Sequence, residues 1–331
     1  MTLTSAGRDD LDPASPAAAP APAPRAAADS RGPTPPFEWL RRAAAGLYLA
    51  VLGWHLVRRG VPLERAQVLA WIMVALVITT VGRPGGGARA VVKDWVPLGV
   101  VLAAYDLSRG ISDTLGMPIQ KESLVGLERL LFGGTVPSVW AQERLDAFTG
   151  PTRWWELPIA LLYFSHFVTA FILLGVLWAR RRDHFKAFRR RFLTLTAAGL
   201  ATYMLLPGAP PWMASRDGLI GPIQRGPLRG FRLIGVDISG AFIRYGARFS
   251  NPVAALPSLH VGWAAIIALY LCRLSPRWAW PLLALYPLGM GVALVVAGEH
   301  YVVDVTMGMA YALVVMLGWN WWERRRAEPV R

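Results

Sequence analysis

Charged side chains are scarce in this sequence, and cysteine is nearly missing. Only 17% of the 331 residues are Asp, Glu, Lys or Arg, against about 25% in an average soluble domain. The single cysteine, Cys272, excludes an internal disulfide framework and a multi-cysteine metal site. It stands inside an apolar run and reads as a small packing residue. Residues 1–36, rich in Ala and Pro, cannot bury a core and read as a disordered cytoplasmic tail. This tract also lacks the apolar stretch of a signal peptide, which leaves insertion to the first membrane segment.

What is abundant is apolar. Hydrophobic residues make up 54% of the chain, with 15 tryptophans and a mean hydropathy of +0.37. Apolar segments recur at about 43–57, 66–82, 94–108, 155–178, 190–206, 258–273, 278–297 and 301–322. Most approach the roughly 20 residues a helix needs to cross the hydrocarbon core. The pattern predicts an all-α polytopic membrane bundle of about eight transmembrane helices. N-terminal membrane helices would occupy 37–108 and a catalytic membrane core 155–323, with a cytoplasmic tail at 324–331. Residues 109–154, including SLVGLERLLFGG and VPSVWAQERLDAF, alternate apolar and charged positions at helical spacing and suit short interfacial helices.

The net charge is +14, but the arginines cluster between apolar segments. That placement fits topology and anionic headgroups rather than nucleic acid. ARRRDHFKAFRRR (179–191) is the strongest cytoplasmic marker, supported by Arg273, Arg277 and the C-terminal WERRR. Both termini then lie inside, and the 207–257 loop lies outside. Arg58, Arg59 and Arg65, in the first outer loop, depart from the rule.

Two histidines fall on that outer side. In ALPSLHVGWA, Ser258 is a favoured N-cap and Pro257 enforces an extended entry, so a helix opens at His260. Its free amides and positive dipole end would cradle an anion. One helical hairpin later His300 opens the last segment, with Asp304 four residues on and on the same helix face. A carboxylate there can accept the Nδ1–H and make the other ring nitrogen a better nucleophile or base.

GAPPW (208–212), PSLH (257–260) and HYVVD (300–304), in this order, resemble the type 2 phosphatidic acid phosphatase superfamily, and most closely its inositol phosphorylceramide synthase-like branch. The resemblance runs from about residue 95 to 320, weakly through ERLLFGG and strongly from 208. It implies a covalent phosphohistidine mechanism without a metal or other cofactor. His300 would attack phosphorus, Asp304 would orient it, and His260 would protonate the leaving alcohol and then activate the acceptor. The first motif puts Pro210, Pro211 and Trp212 on the substrate side, with Ser258 of the second. Trp212 also suits an interfacial belt.

Two departures from the superfamily pattern matter. Its phosphatases carry cations in the first motif and an arginine six residues before the nucleophile, whereas GAPPW holds no cation and that second position is Leu294. Arg216, Arg248 and Arg109 are the nearest replacements to hold a phosphate, each also readable as a headgroup or loop arginine. Their absence from the motifs favours transfer over simple hydrolysis. His166, inside the fourth segment, is a site candidate as an intramembrane ionisable group, or a structural histidine bonded to Tyr163 or Ser165. Asp106 and Arg109 would form an internal ion pair.

The resulting expectation is a plasma-membrane lipid phosphotransferase with an extracytoplasmic site, a phospholipid or lipid-phosphate donor, and an alcohol or water acceptor. A lipid-phosphate phosphatase is the near alternative. Two other classes compete: a two-His, one-carboxylate metal site, and a transporter of an anionic lipid or solute.

Overall fold

The computed structural model describes residues 35–59, 65–82, 87–112, 116–236 and 252–327. All of the regular structure in them is helical; Gln120, Gly208 and Ala254 meet only in isolated bridges. The helices are α1 (Pro35–Arg59), α2 (Arg65–Thr80), α3 (Gly87–Ser112), α4 (Glu122–Leu131), α5 (Pro137–Leu145), α6 (Glu156–Ser165), α7 (Thr169–Arg180), α8 (Arg182–Leu205), α9 (Pro211–Arg216), α10 (Leu259–Cys272), α11 (Trp280–Val296) and α12 (Val302–Ala327).

Each of the eight apolar segments is thus helical, and the fourth is broken into α6 and α7, bent by 48°. Among the described residues, two helices are long and apolar enough to cross a membrane, Arg277–Val296 and Val302–Arg326, and the bent pair makes a third if taken as one span. The expected eight spans therefore do not all pass that test. The physical reasons are length and charge. α2 and α10 have 16 and 14 residues, while α3 and α8 carry charged residues within their turns. The chain is a membrane protein by its apolar helices.

α10 is the axis of the fold. It is apolar all round, and residues Val261 to Ala268 are all buried, as expected for a helix enclosed by others. Phe171 of α7, Phe192 of α8 and Trp263 of α10 pack edge to face or tilted in the main core. α10 and α12 cross closely at Gly308, where any side chain would strike the Ser258 carbonyl. That close approach brings the start of α10 beside the start of α12.

The basic run 179–191 is not a loop. From Arg182 onward it forms the first half of α8, and its charges find partners. Arg182 bonds Asp94 at 2.5 Å and covers the Trp178 ring at 3.8 Å. Arg191, fully buried, bonds Glu323 at 2.7 Å and Asn320 at 2.9 Å. A buried guanidinium needs such partners to offset desolvation. Cys272 is half-buried at the end of α10, and its carbonyl accepts the Trp280 indole N–H.

Candidate active site

Ser258 caps α10 with its side-chain oxygen, which accepts the Val261 amide at 3.4 Å. The amide of Leu259 points to the Tyr203 hydroxyl at 3.3 Å. The expected open anion cradle is therefore already partly filled by protein groups. Ser258 itself is fully buried and outside the lining of the site cavity, where it serves as the helix cap.

His300 precedes α12, which starts at Val302, so it lies in the turn before the helix and not on it. The short spacing to Asp304 still brings the two together: Nδ1 is 3.4 Å from Asp304 Oδ2, which also accepts the Tyr301 amide at 2.9 Å. Both residues are buried. On the other side of the ring, His300 Nε2 stands 3.4 Å from His260 Nδ1. The structure thus brings the two histidines and the carboxylate together.

His166 joins them. It sits where α6 breaks from α7, stacks on Trp263 at 4.4 Å, and lies 4.1 Å from the His260 ring. Ser165, offered as its partner, instead bonds Tyr286 and the Leu162 carbonyl. Tyr163 also stacks on His260, at 5.3 Å. These groups line a cavity of about 90 Å³ that also takes in Pro210, Trp212, Arg225 and Glu299.

The remaining sequence candidates fare differently. Pro210 and Trp212 line the cavity, whereas Pro211 is the first residue of α9 and does not. Arg216 is outside the cavity lining: its side chain is 63% exposed, paired with Asp217 and 5.7 Å over the Trp212 ring. Arg248 lies outside the described residues, as do the side chains of Asp106 and Arg109 in α3. Among the described residues, Arg225 is the only lysine or arginine lining the cavity. Sequence reading missed it because it belongs to no motif. Leu294, where phosphatases have arginine, is fully buried, and its carbonyl receives the amides of Glu299 and His300.

Behind the nucleophile candidate, Glu128 of α4 is fully buried and accepts the Val303 amide at 2.9 Å. Burial first, then the neighbouring Asp304 charge, push its carboxyl up to about 7. No group of three or more His, Cys, Asp or Glu among the described residues is placed to hold a metal ion.

Residues 138–318, which contain the three motifs and both histidines, match the family described as the PAP2 superfamily. The chain belongs to that superfamily. A phosphoinositol dihydroceramide synthase of Bacteroides thetaiotaomicron is 27% identical across 78% of this chain and 84% of its own length. The inositol phosphorylceramide synthase catalytic subunits of Schizosaccharomyces pombe and Saccharomyces cerevisiae are 30% and 26% identical across 60% and 66% of this chain. The chain spans about half of these fungal relatives, 46% and 54%. No solved structure matches. This PAP2-superfamily protein is an enzyme of the synthase-like branch, a phosphotransferase.

Proposed function

We propose that this enzyme transfers a phosphoinositol group from a glycerophospholipid to the hydroxyl of a lipid alcohol through a phosphohistidine at His300. The observation that carries the reading is the alignment Asp304–His300–His260, with one ring nitrogen of His300 on the carboxylate and the other on the second histidine. Asp304 holds the proton on Nδ1, leaving the Nε2 lone pair to attack phosphorus. The phosphorus–oxygen bond to diacylglycerol breaks, and His260 gives its proton to the departing alkoxide. His260 then takes the proton of the acceptor hydroxyl, whose oxygen attacks phosphorus and releases the histidine. In-line displacement puts entering nitrogen and leaving oxygen on opposite faces of phosphorus, so the two rings separate as the phosphoryl group enters between them.

The relatives named for phosphoinositol and inositol phosphoryl transfer support the donor group. In this reading all eight helical segments are membrane-embedded, and the site faces outward from the plasma membrane because the arginine clusters of α8 and the α12 end lie at the opposite end of those helices from the histidines. The deciding experiment incubates purified protein with phosphatidylinositol labelled in its headgroup phosphate and a panel of ceramide, diacylglycerol and polyprenol acceptors. Transfer of label to one acceptor with release of diacylglycerol is expected; label found only in free inositol phosphate, whatever the acceptor, would contradict it.

A further inference from the structure

Building on the phosphohistidine reading, we infer that Arg225 and Glu299 form the phosphate subsite of this enzyme and make it select phosphodiesters over phosphate monoesters. The Arg225 guanidinium is a planar fork with two hydrogen-bonding edges. Its Nε edge is taken by Glu299, with Nε to Oε1 at 2.7 Å and Nη2 to Oε2 at 3.2 Å. Nη1 makes no hydrogen bond among the described residues, so the second edge of the fork is open in the cavity that holds His260 and His300. A planar fork with one edge anchored and the other open suits the two non-bridging oxygens of a phosphodiester.

The arginine is also built in. Its guanidinium lies 4.5 Å over the Trp212 ring. The residue before it, Gln224, exchanges backbone bonds with Gln142, whose amide also holds the Val296 carbonyl at the end of α11. Ile223 is tied to Ser215 and packs against Gly298, which has φ +67° and no room for a side chain facing Ile223. The Arg225 segment is therefore pinned directly onto the turn that carries Glu299 and His300. A fixed cation of this kind stabilises charge that grows on the phosphoryl oxygens during attack. Burial opposes its charge, but Glu299 outweighs burial and holds the guanidinium's pKa above its usual value.

Charge bookkeeping gives the selectivity. Arg225 contributes one positive charge and Glu299 one negative, so the subsite is neutral overall. A phosphodiester brings one negative charge, whereas a monoester near neutral pH brings up to two. Like charge beside Glu299 penalises the dianion more, and Leu294 supplies no second cation in compensation.

The test measures the rate at which purified enzyme becomes labelled from phosphatidylinositol, a diester, and from phosphatidate, a monoester, each carrying labelled phosphorus in detergent micelles. Wild type should label faster from the diester. Arg225→Ala should slow labelling from both by about a hundredfold, and Arg225→Lys should fall between, since it keeps charge without the fork. Glu299→Gln should shift the diester-to-monoester ratio toward the monoester by about tenfold. Labelling that Arg225→Ala leaves unchanged, or a ratio that Glu299→Gln leaves unchanged, overturns this inference alone provided His300→Ala still abolishes label. Labelling from neither donor, or label that survives His300→Ala, overturns the nucleophile reading as well.

Discussion

The amide of Ser258 donates to the backbone carbonyl of Asp304 at 2.9 Å. This one bond joins the element that carries His260 to the element that carries His300, and the side-chain-free surface of Gly308 lets them meet. Gly308→Ala forces a methyl group onto the Ser258 carbonyl. Overpacking of this kind typically costs about 1–3 kcal/mol. A lower melting temperature together with reduced transfer is expected from thermal-shift and activity assays, and wild-type values for both would show that the crossing is looser than the structure indicates.

Asp304→Asn keeps the size of the side chain and an acceptor for the Tyr301 amide. It removes the charge that fixes the His300 proton and stabilises the imidazolium. A loss of about a hundredfold or more in turnover is expected, with a melting temperature close to wild type. Near-normal turnover would remove Asp304 from the chemistry.

Glu128 gives a pH-dependent signature. Its carboxyl titrates near 7 in the folded chain, against 4.5 ordinarily, so the folded state binds more protons than the unfolded one between those values. Stability contributed through this group therefore falls as pH rises through that window. Glu128→Gln keeps an acceptor for the Val303 amide and removes the titration. The variant's melting temperature should gain on wild type between about pH 5 and about pH 8; a constant difference would mean the buried carboxyl stays ionised throughout.

Topology is tested by cysteines in a Cys272→Ser background. Leu233, in the 207–257 stretch expected to lie outside, is 45% exposed, and the Lys186 side chain is 56% exposed in the basic half of α8. An impermeant thiol reagent on intact cells should label Leu233→Cys, and should label Lys186→Cys only after permeabilisation. The reverse pattern would place the site on the cytoplasmic face.

The histidines, their carboxylate and the helical segments were legible because each rests on local spacing. Ser258 caps its own helix, and Asp304 lies one turn from His300. What sequence reading missed depends on distant partners. The break between α6 and α7 falls within an uninterrupted apolar run, so periodicity gave no sign of it, although His166 itself already stood among the site candidates. The 179–191 run read as a loop because its neutralising groups, Asp94 and Glu323, lie far away in sequence. Arg225 was invisible for the same reason, since its partner Glu299 is 74 residues on. Arg216, closer to a motif, looked better but lies outside the cavity lining and pairs with Asp217.

The central claim is that His300 carries the phosphoryl group. The most direct measurement is rapid quench of purified enzyme with headgroup-labelled phosphatidylinositol, followed by mass mapping and an acid-lability assay of the labelled protein. The account predicts an acid-labile adduct on the peptide containing His300, absent in His300→Ala and accumulating in His260→Ala when the donor has a leaving group that needs little protonation. An adduct of the same mass and lability that persists in His300→Ala would contradict it.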